Sequence, residues 1–159
     1  MTKLLTFLWF DGQAEEAAEL YASVFPDVKI TDVSRYGPDN HGNEQGAVMT
    51  VNFTIGEQQF VGLNGGPHYQ FTPAISFQIP CADQAEVDHY WNGLLAGGGE
   101  ESECGWLKDR FGVSWQVVPT ALYELMGDPD RERAERATQA MLRMKKIDIA
   151  ELRRAADGE

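Results

Sequence analysis

The chain has 159 residues, of which 43% are apolar and 11% aromatic, enough for one domain with a buried core. No apolar stretch approaches the roughly 20 residues of a membrane span, and the N-terminus lacks the apolar segment of a signal peptide, so we expect a cytoplasmic protein with no membrane partner. The net charge of −12 argues against a nucleic-acid partner, because phosphate binding needs a basic surface.

The first part of the chain predicts one strand, one helix and three further strands. Residues 4–10 form an almost continuous apolar run, typical of a buried strand, and Asp11 is a candidate cap for the next helix. Apolar residues at helical spacing predict that helix over residues 13–25, before Pro26. Three strands are predicted at residues 28–36, 47–55 and 58–63, with a loop at residues 37–46.

The same order of elements then repeats. We predict a strand at residues 74–79 and a helix capped by Asp83, with Glu86 three residues later as in a capping box. Three short strands are predicted at residues 101–104, 106–110 and 113–118. Both helices start with Gln-Ala-Glu, at residues 13–15 and 84–86, which supports a duplicated βαβββ module.

Beyond Pro119 the sequence predicts a helical appendage. We expect one helix capped by Thr120 and ending at Met126, one from Asp128-Pro129 to Lys145-Lys146, and one from Asp148 to Gly158. Residues 131–159 carry 8 Lys and Arg against 6 Asp and Glu, whereas residues 1–130 carry 5 against 19. This basic tail predicts either a solvated helix or a helix docked on an acidic surface of this chain or of a partner subunit.

Several motifs carry a family resemblance: FDG at residues 10–12, LNGGP at 63–67, FTPAISF at 71–77, CGWLKD at 104–109, SWQVVP at 114–119 and MLRMKKIDI at 141–149. They resemble the PhnB-like proteins, often described as demethylubiquinone methyltransferase-like, within the vicinal oxygen chelate superfamily of glyoxalase I and the bleomycin resistance proteins. The resemblance extends over the whole chain. It implies an α+β fold with two βαβββ modules, residues 1–66 and 70–119, that form curved half-barrel sheets of one domain, 1–119, followed by an appendage, 120–159. It also implies a homodimer.

The resemblance raises the question of a metal site. Catalytic members of the superfamily hold a divalent ion with four His or Glu ligands, and such an ion acts as a Lewis acid. The corresponding positions in this chain are Thr6 or Leu4, Gly62 or Asn64, Ala74 or Ser76, and Gln116. None of them is His, Asp or Glu, and the three histidines His41, His68 and His89 lie elsewhere. We therefore expect neither a metal nor another cofactor.

These positions predict an uncharged pocket instead. Asn64, Ser76 and Gln116 offer amide and hydroxyl groups, and Leu8 and Phe10 are expected on the face of Thr6, with Trp106 nearby. Such a pocket suits a neutral or aromatic small molecule. The alternative is that these polar side chains bond to each other or to water within a filled core.

Other candidates give no catalytic group. Cys104 has no histidine base nearby, so we expect an inert thiol, and Lys108 with Asp109 is either a surface pair or a turn capped by Asp109. The glycines at 97–99 follow a helix, and those at 65–66 precede Pro67, so neither run fits a nucleotide-type cofactor site.

The leading hypothesis is a metal-independent small-molecule-binding protein. The alternatives are a metal-dependent lyase, isomerase or dioxygenase-type enzyme with atypical ligands, and a resistance-type protein that sequesters a toxic compound. The sequence leaves open whether the chain is an enzyme.

Overall fold

The computed structural model describes residues 1–40 and 42–159, and the chain divides into two compact units, Met1–Phe71 and Thr72–Glu159. Each unit contains one sheet of four strands and is described by itself. Among the described residues, no helix is both long and apolar enough to cross a membrane.

The first unit has the predicted order of elements. They are β1 (Thr6–Phe10), α1 (Ala14–Val24), β2 (Val28–Arg35), β3 (Val48–Ile55) and β4 (Gln58–Asn64). The strands form sheet 1 in the order β1-β4-β3-β2, with β1 and β4 parallel and the other pairs antiparallel. The predicted loop at residues 37–46 lies between β2 and β3, and its His41 is outside the described residues.

Helix α1 packs against one face of sheet 1. A Cβ added to Gly62 would lie 3.0 Å from the Cβ of Ala14, the first residue of α1, so Gly62 marks the face that α1 covers. Leu8, the register partner of Gly62, and Phe10 share this face and are buried. Because side chains alternate along a strand, Phe7 points to the opposite face, where it is 57% exposed.

The second unit repeats this architecture. Its elements are β5 (Phe77–Cys81), α2 (Gln84–Leu95), β6 (Glu100–Glu101), β7 (Trp106–Lys108) and β8 (Ser114–Pro119). They form sheet 2 in the order β5-β8-β7-β6, again with the first pair parallel. The predicted α+β fold with two βαβββ modules is confirmed. The strand expected at residues 74–79 begins later, at Phe77, because Pro73 and Ala74 form a turn.

Helix α2 begins with the predicted cap. Asp83 Oδ1 accepts a hydrogen bond from the backbone N–H of Glu86 at 2.9 Å, and the Glu86 carboxylate accepts one from the N–H of Ala82 at 2.8 Å. The helix covers one face of sheet 2 with a stripe of buried residues, Val87, Trp91 and Leu94. The local sequence therefore fixes where α2 starts and which side packs on the sheet.

Three more helices complete the second unit: α3 (Thr120–Met126), α4 (Arg131–Met141) and α5 (Ile149–Asp157). Three of their predicted ends are wrong. Thr120 is the first helical residue rather than a cap, because β8 leads directly into α3. Asp130, not Asp128, caps α4 through its side chain. Finally, α4 ends at Met141, before the lysines, because the carbonyls of residues 144 and 145 turn to accept hydrogen bonds from residues 104 and 105.

The appendage buries apolar side chains on sheet 2. Val118 of β8 packs in a buried cluster with Leu122 of α3, Ile147, and Leu152 of α5. Val118 alternates with Val117, which is fully buried, so these helices lie on the face of sheet 2 opposite α2. They cover one end of that face.

Polar contacts join the appendage to α2 as well. The Gln84 side chain donates to the carbonyl of Ile147 at 3.0 Å and accepts from the backbone N–H of Ile149 at 2.9 Å. Lys146 forms an ion pair with Asp88 at 2.9 Å. Of the two interpretations of the basic tail, the structure shows docking on the tail's own unit.

Candidate functional site

Four uncharged side chains of the second unit form a hydrogen-bonded chain, which we call the polar network. Gln116 Nε2 donates to Ser76 Oγ at 2.8 Å, and Gln116 Oε1 accepts from Gln78 Nε2 at 3.2 Å. Gln78 Nε2 also donates to the hydroxyl of Tyr123 at 2.7 Å. The predicted site residues Ser76 and Gln116 are thus in contact, and the structure adds two residues that sequence reasoning missed, Gln78 and Tyr123.

The polar network lies on the face of sheet 2 opposite α2. Trp115, the neighbour of Gln116 in β8, is 3% exposed in the core, so strand alternation turns Gln116 to the other face. The register places Gln78, Gln116 and Trp106 side by side across β5, β8 and β7. The predicted residue Trp106 therefore belongs to the same row as the two glutamines.

Tyr123 comes to this face because α3 follows β8 without a loop. Pro119 ends the strand, and the next residue is already helical. Ala121 and Leu122 are buried, which fixes the rotation of α3, and Tyr123 is left 53% exposed with its hydroxyl beside Gln78. The appendage therefore supplies one member of the polar network.

The other two predicted site residues belong to the first unit. Thr6 and Asn64 lie in the register rows of sheet 1 that face α1. Asn64 is 8% exposed, and its amide is used within the unit: Oδ1 accepts from the backbone N–H of Ala14 at 2.9 Å, and Nδ2 donates to the carbonyl of Val48 at 3.1 Å. These bonds tie the end of β4 to the start of α1 and of β3.

The face of β1 that carries Thr6, Leu8 and Phe10 is covered by α1. Leu8 and Phe10 were expected beside Thr6 in a cavity, but both are core residues beneath α1. The run TFLWF is apolar at almost every position, so its pattern gave no sign of which alternate set faces the helix.

A cavity of about 280 Å³ lies beside Asn64 at the end of β4. Its lining residues include Asp11, Glu15, Glu44 and Tyr36, and the Tyr36 hydroxyl donates to the carbonyl of Asn64. The prediction that Asp11 caps α1 is wrong. The N-cap residue of this helix forms no side-chain hydrogen bond with the helix. The acidic lining differs from the uncharged pocket that we expected around Asn64.

The positions that correspond to metal ligands do not suit a divalent ion. The amide of Asn64 already has partners on both of its ends, and Ser76 and Gln116 are bonded to each other. Uncharged amides and hydroxyls are weak ligands for such ions. Within residues 1–40 and 42–159, no three His, Cys, Asp or Glu side chains are grouped so that they could hold a metal ion.

The Cys104 thiol is not arranged as a nucleophile. Burial, with a contribution from the Glu103 carboxylate, raises the pKa of Cys104. A thiol with a raised pKa is protonated near neutral pH and reacts slowly. This agrees with the expected inert cysteine.

Asp109 has a structural role. It is 3% exposed, and its Oδ1 accepts from two backbone N–H groups of the following turn, those of Phe111 at 2.9 Å and Val113 at 3.1 Å. Its Oδ2 accepts from the indole N–H of Trp115 at 2.9 Å. The predicted turn cap is confirmed, and the alternative of a surface pair with Lys108 is wrong.

Comparisons with known proteins agree with this architecture. The model of the family described as 3-demethylubiquinone-9 3-methyltransferase matches residues 2–118. A PhnB protein from Bacillus cereus is 33% identical, with a TM-score of 0.66 over 75% of this chain and 100% of its own. A solved protein from Pseudomonas aeruginosa is 19% identical, with a TM-score of 0.63 over 75% of this chain and 98% of its own, and it supports the fold alone.

The match is shorter than the resemblance suggested. The family model ends at Val118, and the Bacillus cereus protein leaves a quarter of this chain without a counterpart. No curated protein matches the chain. The family model therefore does not extend through residues 141–149, as the resemblance had led us to expect. The appendage that supplies Tyr123 lies outside the matched residues.

Proposed function

We propose that this chain, which belongs to the PhnB-like family described as 3-demethylubiquinone-9 3-methyltransferase, binds an uncharged small molecule at the polar network of sheet 2. The observation that carries the proposal is the hydrogen-bonded chain from Ser76 through Gln116 and Gln78 to Tyr123. Amides and hydroxyls on one face, close to an aromatic side chain, are the groups that orient a neutral ligand.

The chemistry of the face supports a planar, oxygen-bearing ligand. Trp106 lies in the same row as Gln78 and Gln116 and offers a flat apolar surface. The family description names a quinone, which is a planar ring with carbonyl oxygens. A ligand ring packed against Trp106, with one of its oxygens toward the amides of Gln78 and Gln116, would contact both the apolar and the polar groups of this face.

The proposal contains neither a metal nor methyl transfer. The side chains of Asn64, Ser76 and Gln116, at three of the expected ligand positions, are uncharged and already bonded to protein groups. The glycines at 97–99 follow α2, and those at 65–66 follow β4 but precede a proline, so neither run opens a helix after a parallel strand. Binding alone is proposed, and the reaction class is left to experiment.

The test is a thermal-shift screen of neutral planar compounds on the purified protein. Compounds that raise the melting temperature of the wild type should fail to do so with Gln116→Ala, because the central member of the network is lost. Gln58→Ala, which removes an exposed glutamine at the start of β4, should keep the response. An unchanged shift in Gln116→Ala would remove this face from the site.

Two further measurements separate the alternatives. Stoichiometric zinc, nickel or manganese that is needed for ligand binding would favour the atypical metalloenzyme. Conversion of a bound compound would show an enzyme, whereas release of the compound unchanged would favour a sequestering protein.

We also propose a homodimer that resides in the cytoplasm, where two free thiols are stable. The exposed apolar side chains of sheet 1, among them Phe7 and Ile30, support self-association. Light scattering at several concentrations tests it, and a monomer mass throughout would reject the dimer.

A further inference from the structure

We infer that Tyr123 determines the specificity of this site, and that with Tyr123 the site selects planar ligands carrying an oxygen that accepts a hydrogen bond. The inference rests on the proposed function, because it assigns a ligand class to the same face. It concerns the part of the chain that the family model does not match, since that match ends at residue 118.

Tyr123 is held in place by its own helix. The neighbouring residues Ala121 and Leu122 are 6% and 5% exposed, and Leu122 belongs to the cluster that anchors the appendage on sheet 2. The Tyr123 hydroxyl is therefore brought to Gln78 by packed structure, not by a mobile loop. This hydroxyl forms one end of the polar network.

The positions of the protons determine what the network offers to a ligand. Gln78 Nε2 has two protons, and both are used, one toward Tyr123 and one toward Gln116 Oε1. Gln116 Nε2 uses one of its protons toward Ser76. Both hydroxyls therefore accept from an amide, and each keeps its own proton to donate. The network carries a hydroxyl donor at each end.

The direction of these hydrogen bonds is a collective property. Turning the amide of Gln78 alone would bring its oxygen against the oxygen of Gln116, so both amides must turn together. In the turned arrangement the Tyr123 hydroxyl would donate into the network and lose its outward proton. In the arrangement shown, the hydroxyls of the network can donate to an acceptor oxygen of a ligand. A ligand that can only donate hydrogen bonds finds no such partner in them.

Oxindole and indole test this selectivity, because both are flat bicyclic N–H compounds and only oxindole has a carbonyl oxygen. We expect the wild-type protein to bind oxindole roughly tenfold more tightly than indole, the effect of one neutral hydrogen bond. Titrations of ¹⁵N-labelled protein give both dissociation constants, and the side-chain amide signals of Gln78 and Gln116 report on the network itself.

The variant Tyr123→Phe keeps the ring and removes only the hydroxyl. We expect its preference for oxindole to fall to within about twofold, and its Gln78 amide signals to shift without ligand, because one N–H loses its acceptor. The matched control Tyr90→Phe removes a hydroxyl from α2, on the other side of sheet 2. It should keep the wild-type preference.

Three results would overturn the inference: an unchanged preference in Tyr123→Phe, a wild-type protein that binds indole as tightly as oxindole, or no binding of either compound. None of these decides the proposed function, which fails only if Gln116→Ala retains the ligand-induced stabilisation of the wild type.

Discussion

The two βαβββ modules have equivalent registers in their parallel strand pairs and differ in which side chains occupy equivalent places. In the parallel pair of sheet 1, the second register pair is Phe7 with Val61; in sheet 2 it is Gln78 with Gln116. The first module therefore has an apolar pair where the second has linked amides. The backbone pairing of the parallel strands is equivalent in the two modules, whereas the chemistry of this pair of side chains differs.

The modules also differ in how their helices are capped. The backbone N–H of Ala14, at the start of α1, is satisfied by Asn64 at the end of β4. Helix α2 is capped by Asp83, which immediately precedes it, and the place equivalent to Asn64 is taken by Pro119. The buried amide of the first module supports the fold, whereas the second module caps its helix locally and has its amides on the sheet face.

From the difference between the two modules, we expect the largest loss in the free energy of unfolding when Asn64 is substituted. The variant Asn64→Ala leaves the buried N–H of Ala14 and the partly buried carbonyl of Val48 without their partner. We expect the free energy of unfolding to fall by about 3 kcal/mol, measured by urea denaturation followed by circular dichroism. The control Asn52→Ala removes a half-buried amide from β3 and should cost less than about 1 kcal/mol. Equal losses in the two variants would show that Asn64 has no special role.

A smaller effect is expected at the corresponding cap of the second module. Asp83→Ala removes one acceptor at the start of α2, where solvent can replace it, since this hydrogen bond is exposed. The expected cost is about 1 kcal/mol. Asp83→Asn keeps an acceptor oxygen and should recover most of the loss in the same denaturation assay. A loss as large as that of Asn64→Ala would contradict the proposed difference between the two caps.

The fold was predictable because its local signals are strong. Helical spacing, the Asp83 and Asp148 caps and the left-handed Gly158 at the end of α5 all have short-range causes, and each was confirmed. The predicted caps at Thr120 and Asp128 failed for local reasons, since β8 leads directly into α3 and Asp130 caps α4. The predicted cap at Asp11 failed because a tertiary contact decides that helix start. The first N–H of α1 is bonded to Asn64, 50 residues further along the chain.

The candidate site was predictable only in part. Ser76 and Gln116 were identified because they lie at positions that correspond to metal ligands in the superfamily that the chain resembles. Gln78 lies within the predicted strand 74–79 at strand spacing from Ser76, but it was missed because it is not at a position that corresponds to a metal ligand. Tyr123 had no signal, because only the path of α3 brings it to the face.

The smallest expected effect concerns the appendage, which has no equivalent in the first module. The hydrogen bond from Gln84, followed by the contact with Lys146, holds the pKa of Asp88 below its usual value. The stabilisation from the ionised carboxylate is therefore complete above the pKa of the unfolded state, about 3.9, and is lost as the pH falls through the lower folded value.

Both partners of this ion pair are partly exposed, with side-chain exposures of 38% for Lys146 and 43% for Asp88. We therefore expect Asp88→Asn to cost only about 0.5 kcal/mol at pH 7. The difference from the wild type should shrink as the pH falls below about 4, because the wild-type carboxyl is then neutral as well. Asp39→Asn, at an exposed aspartate of the first unit, is the matched control for the loss of one surface carboxylate. The contrary result is a difference in the free energy of unfolding between Asp88→Asn and wild type that stays constant from pH 7 to pH 3. It would mean that the carboxylate charge does not contribute to docking. Gln84 and the buried cluster around Leu122 would then hold the appendage alone.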